Sequence, residues 1–510
     1  MNNYQNSKNT VLCAVSTDTV TAHDVSEEFV LPDYVPEVRR ILFTRAQILP
    51  ESKYMSDSAS GQTLDFGGTV TYSVIYIDDE GKLCSTPLCS TYEASVALKS
   101  RASTVFVDTV CDNVTTRVSA PRRLTIKSRL KSRILGIEQR EITQGISGKS
   151  SADELFIERL SADFDTFSVL CGSLNGIKIS EKLDTGARKS VRVVLCDASV
   201  TLKDVKPSTS GVTCQGELIV KCVCESEGGL FTLSKSVPIY ECIGLDGVCD
   251  TDTARATARC VNLSIYNEEV GDMRELCFDA TMEIDVEAYR NASSTLILDC
   301  YSTKNKIDTE YGKCELYSLC GGALGVIPFN ESVKRKSKDA REIVDIICDP
   351  VYEKCDIKGT DAILLGRLCV HMIGKSTQEN GACEYYCESY EIPFKHECAL
   401  DGEVTSAIVR AGFSASVTDA RLSDDKLHIS AQIYPSICVL DKKEVEILDG
   451  AKLSRDVEYK NDASCVRVYF VNEGDVLWEI AKKYHTTRQR LSQDNSLDGF
   501  SLDGVKNLLI

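Results

Sequence analysis

Three stretches of the chain alternate apolar and polar side chains with a period of two. Val70, Tyr72, Val74 and Tyr76 share one face of the first, Leu218, Val220, Cys222 and Cys224 one face of the second, and Leu368, Val370 and Met372 one face of the third. In each stretch the apolar set begins two residues after a glycine, at Gly68, Gly216 and Gly366. Strict alternation of this kind predicts a half-buried β-strand. A second glycine, at Gly81, Gly229 or Gly381, closes each run and predicts a turn, with Asp79-Glu80-Gly81 as a hairpin tip.

The leading glycines lie 148 and 150 residues apart, and other segments recur in the same order. Val11-Leu12-Cys13, Val169-Leu170-Cys171 and Ser318-Leu319-Cys320 open the copies. Ser26-Glu27-Glu28-Phe29, Ser180-Glu181-Lys182-Leu183 and Asn330-Glu331-Ser332-Val333 follow, and then Val38-Arg39-Arg40-Ile41, Ala187-Arg188-Lys189-Ser190 and Ala340-Arg341-Glu342-Ile343. The period is too long for a solenoid unit of roughly 20–50 residues and long enough for each copy to hold its own core. Valine, threonine, isoleucine and tyrosine dominate around the alternating runs, and proline is scarce at 11. The expectation is a mainly β fold: three β-rich, sandwich-like repeat domains at 1–150, 151–306 and 307–455, arranged as beads on a string or packed against one another, followed by a small α+β domain at 464–510.

In the last fifty residues the period changes. Val466-Arg467-Val468-Tyr469-Phe470-Val471 alternates as a strand, and Asn472-Glu473-Gly474-Asp475 breaks it. Asp475 is placed to cap a helix starting at Val476, along which Val476, Leu477, Ile480, Ala481 and Tyr484 form one apolar stripe. His485-Thr486-Thr487 ends that helix, and Thr487 can cap a second one running through Leu491 to Asp494. Lys506 to Ile510 reads as a closing strand, which gives the order βααβ. Trp478, the single tryptophan, is expected in the core of this small domain.

Composition narrows the function. With 58 Lys+Arg against 76 Asp+Glu the net charge is −18, which disfavours free nucleic-acid binding and an anionic lipid surface. No run approaches the ~18 apolar residues of a membrane span, and the N-terminal residues lack a basic segment followed by an apolar one, so a cytosolic chain is expected. In that compartment the 24 cysteines read as buried thiols rather than a disulfide framework.

Catalytic signatures are missing. The chain has no HExxH, GxSxG, P-loop or Rossmann pattern, and the histidines at 23, 371, 396, 428 and 485 stand in no catalytic spacing. No enzyme and no cofactor are expected. Cys383, Cys387, His396 and Cys398 are a weak candidate for a Cys₃His zinc site; small buried residues on a hairpin are the plainer alternative. Arg122-Arg123 and Arg129 sit in a basic stretch where Leu124, Ile126 and Leu130 interleave, so a solvated strand face is preferred over a docking site for an acidic partner.

Two resemblances add to this. Tyr469, Val471, Gly474-Asp475, Leu477-Trp478, Ile480-Ala481, Tyr484, Thr487, Leu491, Asn495, Leu497 and Leu508-Leu509-Ile510 resemble a LysM domain. That family binds glycans containing N-acetylglucosamine in a groove between two loops. The groove would here comprise Asn472, Glu473, Gly474, Asp475, Val476, Leu477, Asn495, Ser496, Leu497, Gly504 and Val505. The family usually has threonine where this chain has Val476 and glutamine where it has Val505. Alkyl groups cannot bond sugar hydroxyls, so the resemblance with these departures implies a groove turned to protein binding.

In the first repeat, Phe29-Val30-Leu31-Pro32-Asp33-Tyr34-Val35-Pro36-Glu37-Val38-Arg39-Arg40-Ile41-Leu42, the run from Gly68 to Tyr76 and the turn at 78–81 resemble the SPOCS domain of endospore-forming bacteria. The second repeat has Leu183-Asp184-Thr185-Gly186 in place of the signature, and the third keeps Ala340-Arg341 and Ile392-Pro393-Phe394. SPOCS-like units followed by a LysM domain resemble the SipL-like family of spore morphogenetic proteins. The resemblance implies a mother-cell cytosolic adaptor at the forespore surface. It would bind a SpoIVA-like coat morphogenetic ATPase through its LysM domain and support coat and cortex formation. The alternative is a cell-wall protein that binds peptidoglycan through the same groove.

Overall fold

The computed structural model describes residues 8–58, 61–149, 153–186, 188, 191–227, 229–270, 273–337, 339–378, 383–423, 425–459 and 467–510. The first unit contains β1 (Lys8–Val30), β2 (Arg40–Ser58), β3 (Gly61–Ile77), β4 (Leu83–Ala97), β5 (Thr104–Ala120) and β6 (Arg123–Gln144). Strands β2-β3-β4 form an antiparallel meander, and β1-β6-β5 form a second sheet in which the first strand returns beside the last. A two-residue strand, β7 (Ile146–Ser147), leads to the second unit: β8 (Ile157–Leu183), β9 (Arg192–Ser208), β10 (Gly211–Ser226), β11 (Gly229–Ile243), β12 (Thr253–Val270) and β13 (Met273–Ser302). Its sheets are β9-β10-β11 and β8-β13-β12, the same topology. The third unit has β14 (Asn305–Ala323), β15 (Ile327–Lys334), β16 (Glu342–Lys358), β17 (Asp361–Thr377), β18 (Cys383–Ala399), β19 (Ala407–Leu422) and β20 (Lys426–Glu458). Here the first strand is split, with β14 and β15 lying in tandem along β20.

Each unit closes its two sheets over the alternating faces read from the sequence. Val70, Tyr72, Val74 and Tyr76 pack against Leu124, Ile126, Leu130 and Ile134 of β6. Leu218, Val220, Cys222 and Cys224 pack against the even-numbered face of β13, and Leu368, Val370 and Met372 against Leu427, Ile429, Ala431 and Ile433 of β20. Burying such a side chain contributes about 1.5–3 kcal/mol, so these faces fix the register.

The three repeat glycines lie within their strands rather than at the start. A Cβ on Gly68 would stand 2.1 Å from the Leu49 carbonyl oxygen, one on Gly216 2.1 Å from that of Thr201, and one on Gly366 2.7 Å from that of Val351. In each case the neighbouring strand carries an extra residue at that point, Glu51, Lys203 or Glu353. The glycine therefore makes room for a β-bulge, and the bulge recurs in every unit. Gly81 turns the chain at φ 83 and Gly229 at φ 97; Gly381, like Ala187, Lys189 and Ser190, lies outside the described residues.

The units pack against one another. Ile75, Val223 and Ile373, each seven residues after its repeat glycine, meet in one shared cluster with Phe43, Leu195 and Ile347. Ser85, paired with Ile75, donates to the Val194 carbonyl at 2.7 Å, and Thr232, paired with Val223, donates to the Val344 carbonyl at 3.4 Å. Val194 and Val344 are themselves the extra residues of equivalent bulges in β9 and β16. The same hydrogen bond thus passes from the first unit to the second and from the second to the third. Arg40 links the third to the first by donating to the Tyr385 carbonyl at 2.6 Å, so the units close around a common axis. On that axis Arg45 donates to Asp197 and to Asp349, both at 2.6 Å. Burial alone would lower the Arg45 pKa, and the two carboxylates more than reverse this.

A second shared cluster joins Leu135 and Ile137, Phe167 and Tyr289, and Leu319 and Leu440 from the three units. Beside it lies a buried ionic group. Glu287 accepts from Arg255 at 2.6 Å, from Arg410 at 2.7 Å and from the Tyr289 hydroxyl at 2.6 Å, and Arg410 also pairs with Asp108. The cysteines of the described residues are free thiols. No helix among the described residues is long and apolar enough to cross a membrane.

Candidate functional site

The C-terminal module comprises β21 (Val468–Phe470), α1 (Leu477–Lys483), α2 (Arg488–Asp494) and β22 (Asn507–Leu509). Antiparallel pairing of Val468 with Leu509 and of Phe470 with Asn507 makes the ribbon, and the Val471 amide continues it by donating to the Lys506 carbonyl at 3.0 Å. The turn after β21 and the segment before β22 therefore emerge from the same end of the ribbon. Val466, expected to begin the first strand, lies outside the described residues.

Asp475 does not cap the first helix. Val476 occupies the N-cap position with no side-chain bond, and α1 begins at Leu477. The Asp475 carboxylate closes its own turn instead, accepting from the Asn472 amide at 2.8 Å and from the Tyr469 hydroxyl at 2.9 Å. Those two bonds, the backbone one first, hold its pKa below the usual carboxylate range. Thr487 does cap α2, accepting from the Arg490 amide at 3.1 Å.

The residues expected to form the groove divide into three groups. Asn472, Glu473, Gly474 and Gly504 are exposed at the shared end of the ribbon, with Gly474 at φ 90. Val476 stands there too, 57% exposed, and Val505 is half-buried against the module's core. Leu477 is 1% exposed and belongs to the core rather than to a groove wall. Asn495 is committed to the backbone: its amide donates to the carbonyls of Leu491 at 2.9 Å and Leu509 at 2.8 Å, and its oxygen accepts from the Leu509 amide at 2.6 Å. This clasp ties the end of α2 to β22. Ser496 follows in the left-handed region at φ 53, and Leu497 turns back into the core.

Apart from Trp478, the module is mounted on the second and third units mainly through residues that local sequence patterns did not single out. Trp478, 3% exposed, meets the Tyr301 ring edge-to-face at 4.8 Å between centroids. Asp299, in the same strand β13, accepts from the Trp478 indole at 2.7 Å, from Lys482 at 2.6 Å and from the Tyr311 hydroxyl at 2.6 Å. Burial opposes ionisation of Asp299, but these three donors outweigh it and hold its pKa below the usual range. The Tyr301 hydroxyl donates to the Thr486 carbonyl at 2.8 Å, and Tyr459 stacks on His485 at 3.4 Å. The only sequence signal for this mount is a lone tryptophan in a module small enough to leave it half covered.

The remaining candidates resolve as follows. Cys383, Cys387, His396 and Cys398 lie along one strand, β18, an arm of the antiparallel β17-β18 pair. At roughly 3.3 Å per residue, Cys387 and His396 stand about 30 Å apart and on opposite faces, so the four side chains do not converge. Among the described residues no group of three or more His, Cys, Asp or Glu could hold a metal ion. In the basic stretch, Arg122 donates to the carbonyls of Pro32 at 2.9 Å and Val35 at 2.7 Å and pairs with Glu37 at 3.2 Å, clamping the loop between β1 and β2. His371 donates to or accepts from Ser389 at 2.8 Å and stacks on Phe43 at 3.9 Å; burial lowers its pKa to about 4.

Comparison with known families places a LysM domain at residues 469–502. No curated protein and no solved structure matches the chain.

Proposed function

We propose that the chain is a non-enzymatic assembly adaptor whose three fused β-units carry the LysM domain, and that this domain grips a protein. The proposed partner is a SpoIVA-like spore coat morphogenetic ATPase. The adaptor would then act at the forespore surface, in the mother-cell cytosol, in support of coat and cortex formation. The observation that carries the protein-binding reading is the chemistry of the groove rim. An exposed alkyl group, Val476, stands at the head of α1, and the Asn495 amide is spent on backbone partners. A saccharide needs convergent polar groups, whereas an apolar anchor from a polypeptide gains from an alkyl rim. The SPOCS-like segment from Phe29 to Leu42 supports the sporulation context.

A second reading is kept because the LysM match itself points to glycans: the domain would hold peptidoglycan. The two are separated by one variant and two baits. Val476→Asp alters the rim without touching the core, whereas Leu477→Asp would place a charge in the core and unfold the module. Under the proposal, Val476→Asp abolishes capture of the ATPase from sporulating-cell extract, and the parent chain is not retained by peptidoglycan. Tight peptidoglycan retention by the parent, with ATPase capture unchanged by Val476→Asp, would overturn it.

A further inference from the structure

The outer sheets of the units can be matched side chain for side chain. β5 bulges after Cys111, which faces Leu130; β12 bulges after Cys260, which faces Met282; β19 bulges after Val417, which faces Ala431. Counted from these points, Arg123, Lys127, Lys131 and Arg133 of β6 correspond to Glu275, Asp279, Glu283 and Asp285 of β13. The basic side chain of one unit is thus replaced by an acidic one at four equivalent positions, and Arg129 by Thr281. In the third unit the positions of Lys127, Arg129, Lys131 and Arg133 hold His428, Ser430, Gln432 and Tyr434, with no formal charge. All these positions alternate with inward-facing core residues and so lie on the outer side of their own sheets. At one end a neighbouring unit covers that side: Arg133 donates to the Val409 carbonyl at 2.7 Å, and Tyr434 is buried.

Neither charged face is fully neutralised by its own sheet. On β6, Arg123 pairs with Glu28 at 3.4 Å, Lys131 with Asp112 at 2.8 Å and Arg133 with Asp18 at 3.0 Å. Lys127 and Arg129 are exposed and have no carboxylate partner among the described residues. On β13, Glu275 pairs with Lys182, and Glu283 and Asp285 share one cation, Arg259, at 3.0 and 2.9 Å. Asp279 is exposed and, among the described residues, receives only the Tyr266 hydroxyl, at 3.4 Å. The LysM mount occupies Asp299 and Tyr301 at the far end of β13 and leaves this face open.

We propose that the β6 face of one copy docks on the β13 face of another copy of the same chain, giving head-to-tail self-association. The charges recur at the same spacing along the two central strands, about 7 Å between alternate residues. Contact of β6 with β6, or β13 with β13, sets like charges against each other, so electrostatics selects the heterologous pairing. Such a contact uses two different surfaces and leaves one of each free at the ends, so it propagates. It is independent of which ligand the LysM domain takes.

The test is sedimentation velocity on the full chain, from about 1 to about 100 µM, in about 20 mM and about 500 mM NaCl. The sedimentation coefficient is expected to rise with concentration in low salt and to fall to the monomer value in high salt. Two charge-altered variants are then compared at equivalent positions: Lys127→Glu with Arg129→Glu, and Asp279→Lys with Thr281→Lys. With unchanged circular dichroism, each variant alone should be monomeric in low salt, because the charges left without an ion-pair partner on its two faces then have one sign. An equimolar mixture of the two should associate again. A parent chain that stays monomeric at about 100 µM in low salt would overturn the proposal. So would variants that associate on their own, or a mixture that does not.

Discussion

The Trp478 indole donates its Nε1 proton to the Asp299 carboxylate at 2.7 Å, across 179 residues of chain. The LysM module is thereby fixed to the β body by a buried, charge-assisted bond, with Lys482 and Tyr311 on the same carboxylate.

Because Trp478 is the single tryptophan, its fluorescence reports this junction alone. Asp299→Ala leaves the indole N–H and the Lys482 ammonium without their acceptor, at a cost of about 1–3 kcal/mol. The expected result is a red-shifted emission. Acid should do the same. The Asp299 pKa is lowered in the folded chain, so its contribution is complete above the ordinary aspartate value of about 3.9 and is lost as pH falls below it. A fluorescence titration checks this: an emission change centred well above pH 4 would contradict the assignment.

Glu287 is the hinge of the ionic group joining the three units. Burial raises its pKa, Arg255 and Arg410 reverse this, and the net value falls to about 2. Its stabilising contribution is therefore present above an ordinary glutamate value of about 4.3 and lost as pH drops toward 2. Glu287→Gln leaves two guanidiniums against a neutral amide and should cost about 3–5 kcal/mol, measured as a lowered urea midpoint at neutral pH.

The repeat glycines are expected to reject even a methyl group. Gly216→Ala drives a Cβ onto the Thr201 carbonyl oxygen and should destabilise by about 1–3 kcal/mol in denaturant unfolding. Gly81→Ala adds its Cβ in open space at a turn and should cost less, limited to the strain of a positive φ.

The alternating faces and the repeat were legible because both are local: the period of two is written within each strand, and the glycines recur where a neighbour bulges. The strand-helix-helix-strand tail was legible for the same reason. What escaped depends on distant partners. Arg45 meets Asp349 across 304 residues, and no local pattern marks either residue as belonging to an axis. Leu477 read as a groove residue because family loops were mapped by position, but helical periodicity already placed it beside Ile480 and Ala481 on the buried stripe. The zinc candidate failed because all four residues lie along one long strand, which sets Cys387 and His396 far apart.

Arg45 facing Asp197 and Asp349 at the meeting point of the units has a consequence for their order in the chain. Arg45 and Asp197 occupy the same strand position, each opposite the residue five past its repeat glycine. A homotrimer of separate subunits would have to put one identity at that position in all three copies, and three arginines or three aspartates could not be buried together. Three units within one chain can carry a cation at that position in one and an anion in another. The axis thus bars the three parts from trading places.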